Sequence, residues 1–223
     1  MKDIFLLDID ETVLDFRRTE REALVALLHD YSISATQQLC ARYHEINDGY
    51  WKKLERGEVT RAQLVVNRFY DFFSENGWDF SPEEASKRYF EHVAKGGFYL
   101  DGAEAFVKAL KKAGRIYLVT NGATFTQTNR IAVSGLDKYA DGVFISESIG
   151  IDKPSKGYAE YVEAHIPAYE RKRAVWIGDS LSSDAPCAAS LGIDFILYRP
   201  QGADYDGAVA RNYEEALNLI SSL

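Results

Sequence analysis

Short apolar runs alternate with helix-patterned segments from about Ala103 to the end of the chain. Runs of four or so apolar residues suit buried strands, and the segments between them carry apolar residues at helical spacing. This rhythm predicts βαβ units around a parallel sheet, with strands at 116–119, 142–145, 174–177 and 195–198 and helices at 103–113, 124–134, 155–165, 184–191 and 213–220. The first apolar run, Ile4–Leu7, is expected to join the same sheet.

Between Asp15 and about Gly97 the pattern is helical only. It predicts four consecutive helices, at 19–28, 35–56, 60–76 and 82–95. We therefore predict an α/β protein with a Rossmann-like parallel-sheet core, formed by 1–15 and 97–223. An all-α segment, 16–96, is inserted after the first strand.

Composition and charge narrow the possible functions. The chain has 223 residues, of which 46% are hydrophobic and 27% charged, enough for one α/β domain carrying an insertion or for two small domains. Its net charge of -8 argues against binding to nucleic acid polymers or to an anionic membrane, since both depend on basic patches. The apolar stretch after Met1 is too short for a secretory signal or a membrane span, so a cytoplasmic protein is expected.

Neither cysteine nor histidine spacing indicates a metal or disulfide site. Cys40 and Cys187 lie far apart and form no CxxC pair, so both are predicted to be buried small apolar residues. The four histidines show no paired spacing, and no catalytic role is assigned to them.

The first predicted strand ends in two carboxylates, Asp8 and Asp10. Ligands of an open parallel sheet bind at the carboxyl ends of the strands, so both residues are placed for chemistry. Two unit negative charges about 4 Å apart repel by roughly 4 kcal/mol at an effective dielectric near 20, and either a divalent cation or a raised carboxylate pKa relieves that repulsion. Taken alone, the pair is as readily explained by turn or capping residues.

Three later segments continue the pattern of polar residues after apolar runs. They are Thr120-Asn121-Gly122, Lys153-Pro154, and Gly178-Asp179 with Asp184 five positions further on. Together with Asp8-x-Asp10-x-Thr12, their order resembles the four motifs of the haloacid dehalogenase superfamily of phosphohydrolases. No single motif carries that resemblance by itself.

The resemblance implies a two-step phosphoryl transfer. Asp8 would be the nucleophile, forming an aspartyl-phosphate that divides one hydrolysis into two displacements. Asp10 would be the general acid for the leaving alkoxide and then the base for the attacking water. Thr12 is expected to fix the local turn.

Other motif residues would bind the phosphoryl group. The Thr120 hydroxyl and the backbone amides of Asn121 and Gly122 are expected to cradle its oxygens, and Lys153 to stabilise charge on the nucleophile and the phosphoryl group.

The resemblance also implies a magnesium site. Mg²⁺ would be held by Asp8, the backbone carbonyl of Asp10, Asp179 and Asp184, since this ion prefers hard oxygen ligands. For Asp184, direct ligation, contact through water, orientation of Lys153 and helix N-capping all stay open.

In this superfamily an insertion after the first motif resembles a helical cap that closes over the active site. Asp15-Phe16 and Gly96-Gly97 are the expected hinge segments. Residues 46–51, 55–60 and 68–69 further resemble the cap of bacterial nucleotidases that cleave pyrimidine nucleoside monophosphates. That resemblance makes Trp51, Arg61 and Arg68 candidate substrate contacts, although aromatic residues such as Tyr43, Tyr50, Phe69 and Phe72 are expected to pack helix against helix.

The sequence is thus interpreted as a magnesium-dependent phosphatase for a small phosphate monoester, in particular a pyrimidine nucleoside 5′-monophosphate. A monomer or small homo-oligomer is expected. The alternatives are a phosphoglycolate, sugar-phosphate or broad-specificity phosphatase and, from another class, a catalytically silent ligand-binding module. Dehalogenation is disfavoured, because the superfamily's haloacid dehalogenases keep no second acid at the position of Asp10.

Overall fold

The computed structural model describes all 223 residues, Met1–Leu223, as one six-stranded sheet with ten helices. The strands are β1 (Ile4–Asp8), β2 (Arg115–Thr120), β3 (Ala140–Ile145), β4 (Ala174–Gly178), β5 (Asp194–Tyr198) and β6 (Ala208–Ala210). The helices are α1 (Phe16–Asp30), α2 (Gln37–Glu55), α3 (Arg61–Asn76), α4 (Pro82–Val93), α5 (Ala103–Ala113), α6 (Thr124–Ser134), α7 (Ser146–Ile149), α8 (Lys156–His165), α9 (Asp184–Leu191) and α10 (Tyr213–Ser222).

All six strands are parallel, in the spatial order β3-β2-β1-β4-β5-β6. The chain runs outward from β1 through β2 and β3, then crosses back to place β4 on the other side of β1. In doubly wound sheets ligands bind outside the carboxyl ends of the strands at this reversal. The predicted Rossmann-like α/β core is confirmed, and its reversal lies beside the end of β1, at Asp8.

The strands are buried on both faces of the sheet. Phe5 and Leu7 of β1 belong to one apolar cluster, whereas Ile4 and Leu6 belong to a second cluster on the opposite face. Continuous apolar strands of this kind are typical of parallel sheets covered by helices on both sides. The sheet is therefore a fixed platform for the residues that follow each strand.

Helices α1 to α4 share a third apolar cluster of their own. It includes Leu24, Tyr43, Leu64, Phe72 and Tyr89, one or two from each helix. Tyr43 meets Phe72 edge to face, with ring centroids 5.3 Å apart, as expected for aromatic residues that pack helix against helix.

The segment that leaves the sheet-bearing part and the segment that returns to it lie side by side. Leu14 and Tyr99 form an antiparallel bridge, and the Asp15 amide donates to the Phe98 carbonyl at 2.9 Å. The chain therefore enters and leaves the four helices through one short two-stranded ribbon.

Several local predictions differ from the structure. Helix α1 begins at Phe16 rather than at residue 19, because the Asp15 side chain caps it by accepting from the Arg18 amide at 2.8 Å. Strand β6 and helix α7 were not predicted, since three or four residues are too few to show a period. Cys187 is buried as predicted, but Cys40 is partly exposed.

No helix has both the length and the apolar content needed to cross a membrane.

Candidate active site

The Asp8 carboxylate is held from two sides at the end of β1. One oxygen accepts from the Lys153 ammonium at 2.7 Å, and the other accepts from the Thr12 hydroxyl at 3.0 Å. Thr12 was expected only to fix the local turn, but its hydroxyl also restrains Asp8. Burial raises the pKa of Asp8, and the charge of Lys153 opposes that shift.

Lys153 is enclosed by three acceptors. Its ammonium contacts Asp8 and Asp184, both at 2.7 Å, and the Val119 carbonyl at 3.3 Å. Burial works to lower the pKa of Lys153, but the charges of Asp184 and Asp8 outweigh it and raise that pKa, so the ammonium keeps its charge. The Asn121 side chain holds the Lys153 backbone at both its amide and its carbonyl, each at 2.8 Å, which fixes the lysine against the end of β2.

Asp184 is fully buried and its oxygens are already occupied. It accepts from Lys153, from the Trp176 indole at 3.0 Å and from the Ser180 amide at 3.3 Å. Of the roles left open for Asp184, these contacts favour the orientation of Lys153. A side chain at Gly178 would meet the Asp184 carboxylate at 2.3 Å, so only glycine fits directly before Asp179.

Asp179 differs from Asp184 because its carboxylate accepts no hydrogen bond from the protein. Burial and the nearby Asp184 charge raise the pKa of Asp179 to about 7. Oxygens of Asp8, Asp179 and Asp184 lie within 4.8 Å of one another. The crowding of these carboxylates, the raised pKa values of Asp8 and Asp179 and the unpaired carboxylate of Asp179 fit a hard divalent cation, which would stabilise the ionised forms of Asp8 and Asp179.

Asp10 is held by two residues that the sequence analysis did not single out. Arg130 forms an ion pair with one Asp10 oxygen, and the Gln127 amide donates to the other at 2.9 Å. Both come from α6, and both are at most 1% exposed. The sequence of α6 does carry a signal for these two residues. They are long polar side chains three positions apart on the face of the helix that is buried, where a packing helix would carry apolar residues.

Arg130 also reaches the segment that follows the inserted helices. Its Nε donates to the Gly96 carbonyl at 2.9 Å, and its guanidinium lies 5.3 Å from the centre of the Phe16 ring. Phe16 and Gly96 belong to the two predicted hinge segments. One arginine thus contacts Asp10 and both points where the inserted helices join the sheet.

The turn after β2 is closely packed. The Thr120 hydroxyl accepts from the Gly122 amide at 3.1 Å and from the Gln127 side chain at 2.7 Å. A Cβ at Gly122 would lie 2.4 Å from Gln127, so glycine is required for this approach.

A cavity of about 660 Å³ lies between the sheet and the inserted helices. Its walls contain all but one of the residues predicted to contact substrate or metal, from the sheet side Asp8, Asp10, Thr120, Asn121, Gly122, Lys153, Asp179 and Asp184, and from the helices Trp51 and Arg68. Glu20, His44 and Asn47 also line it and were not predicted.

Arg61 does not line this cavity. It pairs with Asp152 and donates to the Ser146 hydroxyl at 2.9 Å, and so connects α3 to the loop that carries Lys153. The expectation that Arg61 contacts substrate is not supported by its position, because the sequence pattern cannot show which way a helix of the insertion faces.

Comparison with known proteins agrees with this geometry. A model of the haloacid dehalogenase-like hydrolase family matches residues 2–192. The HAD-hydrolase YfnB of Bacillus subtilis is 34% identical over 195 residues, which cover 87% of this chain and 83% of YfnB. A crystal structure of YfnB bound to magnesium, described as revealing interdomain movement, superposes with a TM-score of 0.93 at 31% identity and covers 98% of both chains.

A second relative is the pyrimidine 5′-nucleotidase PynA of Streptococcus pneumoniae, 33% identical over 210 residues, which cover 94% of this chain and 89% of PynA. Three findings lead to a single assignment. The family model matches most of the chain, two relatives exceed 30% identity, and the motif residues surround one cavity. This chain is an enzyme that belongs to the haloacid dehalogenase-like hydrolase family.

Proposed function

We propose that this enzyme hydrolyses small phosphate monoesters in a magnesium-dependent reaction, through an aspartyl-phosphate formed on Asp8. The supporting observation is that the Asp8 carboxylate lines the cavity while Lys153 and Thr12 fix its two oxygens. A nucleophile held in this way needs little reorganisation before it attacks.

In the first step an Asp8 oxygen attacks phosphorus as the bond from phosphorus to the ester oxygen breaks. Lys153 offsets the negative charge near the attacking carboxylate, and the Thr120 hydroxyl would donate to a phosphoryl oxygen, because the Gly122 amide already donates to Thr120 and the Asn121 side chain holds the Lys153 backbone. In the second step water attacks phosphorus and the bond from phosphorus to Asp8 breaks. Inorganic phosphate leaves and the carboxylate is regenerated.

Asp10 moves the proton in both steps. It protonates the leaving ester oxygen and then accepts a proton from the attacking water. Because Arg130 and Gln127 each hold one Asp10 oxygen, they set the direction in which this carboxyl group points.

Replacing Arg130 with methionine is expected to lower kcat by about 10²-fold, at the low end of what general acid–base catalysis contributes. The loss should be larger for alkyl phosphates than for p-nitrophenyl phosphate, whose leaving group needs little protonation. Steady-state kinetics with both substrate types would test this, and Arg130→Lys should recover part of kcat. Equal losses for both substrate types would mean that Arg130 serves the fold and does not position Asp10.

The residues present fit a magnesium site. Asp8, Asp179 and the Asp10 carbonyl would hold the ion, with Asp184 orienting Lys153 beside it. Bound Mg²⁺ supplies charge neutralisation for the phosphoryl group. The oxygens of the three clustered carboxylates lie within 4.8 Å of one another, which brings them close enough to surround one ion.

Magnesium binding should weaken as the pH falls through about 7, the raised pKa of Asp179, because the proton and the ion compete for that carboxylate. The apparent dissociation constant is expected to be about tenfold higher at pH 6 than at pH 8. Isothermal titration with Mg²⁺ would measure it, and Asp179→Asn should bind weakly at both pH values. Equal affinity at pH 6 and pH 8, or full activity in excess chelator, would contradict the proposed site.

The proposed substrate is a pyrimidine nucleoside 5′-monophosphate. Relatives that are named as pyrimidine 5′-nucleotidases cover most of this chain. The cavity of about 660 Å³ extends from Asp8 to the partly exposed indole of Trp51, so it can hold a base as well as a phosphate. On this proposal, residues 16–96 form a cap domain that recognises the base, and 1–15 with 97–223 form the catalytic core.

Pyrimidine nucleotides should therefore exceed ribose 5-phosphate in kcat/KM by at least about tenfold, because the base adds remote binding energy to the same reacting end. Phosphoglycolate and hexose phosphates should rank with ribose 5-phosphate. Trp51→Ala should reduce the advantage of the nucleotide and leave p-nitrophenyl phosphate nearly unchanged, whereas Tyr70→Ala, an exposed aromatic on α3, should change neither. If ribose 5-phosphate is cleaved as well as every nucleotide, the nucleotidase proposal fails.

A further inference from the structure

Arg61 makes the only polar contacts between helices α2 to α4 and the sheet-bearing part of the chain. It is the first residue of α3, pairs with Asp152 and donates to the Ser146 hydroxyl at 2.9 Å. No other hydrogen bond or ion pair joins these three helices to residues 1–15 or 97–223. One guanidinium therefore carries the whole polar connection on this side of the cavity.

These contacts lie away from the two-stranded ribbon through which the chain enters and leaves the insertion. Ser146 directly follows β3, and β3 lies two strands from β1 in the sheet, a separation of about 10 Å. The packing of α4 on α6, by contrast, lies beside the ribbon, where Arg130 contacts Gly96. Arg61 is thus a second point of attachment, and a rotation of the insertion about the ribbon would separate it from the core.

The α3 end of the contact is held in place. Helix α3 begins with a capping box, in which the Gln63 amide donates to the Thr60 hydroxyl at 3.2 Å and the Thr60 amide donates to the Gln63 side chain at 2.9 Å. The Arg61 guanidinium also lies 5.6 Å from the ring centre of Trp51. A side chain restrained in this way loses little further freedom when it forms an ion pair.

The core end of the contact is equally fixed. Asp152 directly precedes Lys153, whose backbone amide and carbonyl are both held by the Asn121 side chain. The Ser155 amide donates to the Asp152 carbonyl at 2.9 Å and closes the turn around the lysine. Arg61 therefore meets a rigid point of the core, one residue from Lys153.

The pair is partly shielded from water and borders the cavity. The Arg61 side chain is 16% exposed and that of Asp152 is 34% exposed. A hydrogen bond between charged groups in such a setting shifts an equilibrium by about tenfold. Trp51 lies beside Arg61, Lys153 follows Asp152, and both line the cavity, so parting the pair would open the cavity on this side.

We propose that the Arg61–Asp152 pair, assisted by Ser146, is a latch that holds the inserted helices closed over the cavity and parts when substrate enters or product leaves. It rests on the proposed phosphatase function, which sets what enters and leaves. When the latch parts, α2 to α4 keep no polar contact with the core, and the insertion pivots about its ribbon. Because Arg61 returns to a point fixed beside Lys153, each closure encloses the same catalytic geometry.

Distance measurements on the whole protein test the latch directly. Nitroxide labels on Tyr70→Cys, exposed on α3, and on Glu160→Cys, exposed on α8, would report the separation of insertion and core by double electron–electron resonance, in a Cys40→Ser background. We expect Arg61→Met to raise the ratio of long to short distances by about tenfold, and Arg61→Lys to recover part of the short-distance population. About 0.5 M NaCl should also raise the long-distance population in the labelled protein that keeps Arg61, because salt screens a partly exposed pair.

Arg42→Met is the matched control, since Arg42 pairs with Glu75 inside the insertion and makes no contact with the core. Its distance distribution should equal that of the protein with both arginines. A distribution that Arg61→Met leaves unchanged, or one that Arg42→Met changes equally, would overturn the latch.

Kinetics provide the second test. Arg61→Met and Asp152→Asn should each lower kcat/KM for p-nitrophenyl phosphate by about tenfold, because only the closed protein excludes water from the reaction. Since both substitutions remove the same contact, the double variant should lose no more than about twofold beyond either one. Independent losses that multiply to about 10²-fold would overturn the latch. Hydrolysis of no phosphate ester by the wild type would instead overturn the phosphatase proposal, and the label distances would still decide the latch.

Discussion

Asp8→Asn should abolish turnover, with kcat reduced by at least about 10³-fold, in the range expected when a covalent nucleophile is removed. An amide oxygen is a poor nucleophile toward phosphorus, and the neutral side chain no longer balances Lys153, which lies 2.7 Å away. The loss should be similar for aryl phosphates and nucleotides, since every substrate passes through the same intermediate. Rapid-quench labelling with a phosphorylated substrate would detect the aspartyl-phosphate in the wild type only.

Asp3→Asn is the matched control for this substitution. Asp3 directly precedes β1 at the end opposite Asp8 and pairs with Arg173, so its replacement should leave kcat unchanged. Retention of more than about a tenth of wild-type activity in Asp8→Asn would contradict the covalent mechanism.

Lys153→Met is expected to lower kcat/KM by about 10²-fold or more, equivalent to roughly 3 kcal/mol of lost transition-state stabilisation. Methionine fills a similar volume, but it leaves Asp8 and Asp184 buried without the ammonium that both contact. Removing one partner of a buried ion pair also destabilises the fold, because the remaining charges are uncompensated. The melting temperature should therefore fall, and added Mg²⁺ should restore part of it.

Lys156→Met is the control that separates the loss of the Lys153 contacts from the general effect of replacing a lysine with methionine. Lys156 is an exposed lysine three residues further on, and its replacement should change neither kcat/KM nor the melting temperature. An effect of Lys153→Met below about threefold would mean that the Lys153 ammonium does not stabilise the transition state, and would contradict its proposed role.

The main features of the site could be predicted because each depends on local sequence. A parallel strand places the residue after it at a fixed edge of the sheet, so Asp8, Thr120 and Asp179 converge once their three strands are recognised. Of the roles left open for Asp184, its contact with Lys153 supports the orientation of that lysine, whereas the spatial order of the strands was not predicted.

Contacts between residues that lie far apart along the chain could not be predicted in this way. Gln127 and Arg130 meet Asp10 from more than 110 positions away along the chain, and a pairing at that distance leaves no local period. Arg61 was expected to contact substrate, yet it meets Asp152, since the angle between α3 and the core is set by packing. Asn47 lies within the segment 46–51, but no role was predicted for it, because a side chain that joins Glu20 to Arg68 leaves no local pattern in the sequence.

The short ribbon formed by Leu14, Asp15, Phe98 and Tyr99 has a consequence for the diversification of this enzyme. Since the inserted helices carry their own apolar cluster and the chain enters and leaves them at this one ribbon, recombination at the ribbon can exchange the whole insertion between relatives. The phosphate chemistry would be inherited from one parent and the choice of leaving group from the other. Chimeras with cap and core from different parents should fold when the residues of this ribbon and the Arg130 contact to Gly96 come from the same parent as the core.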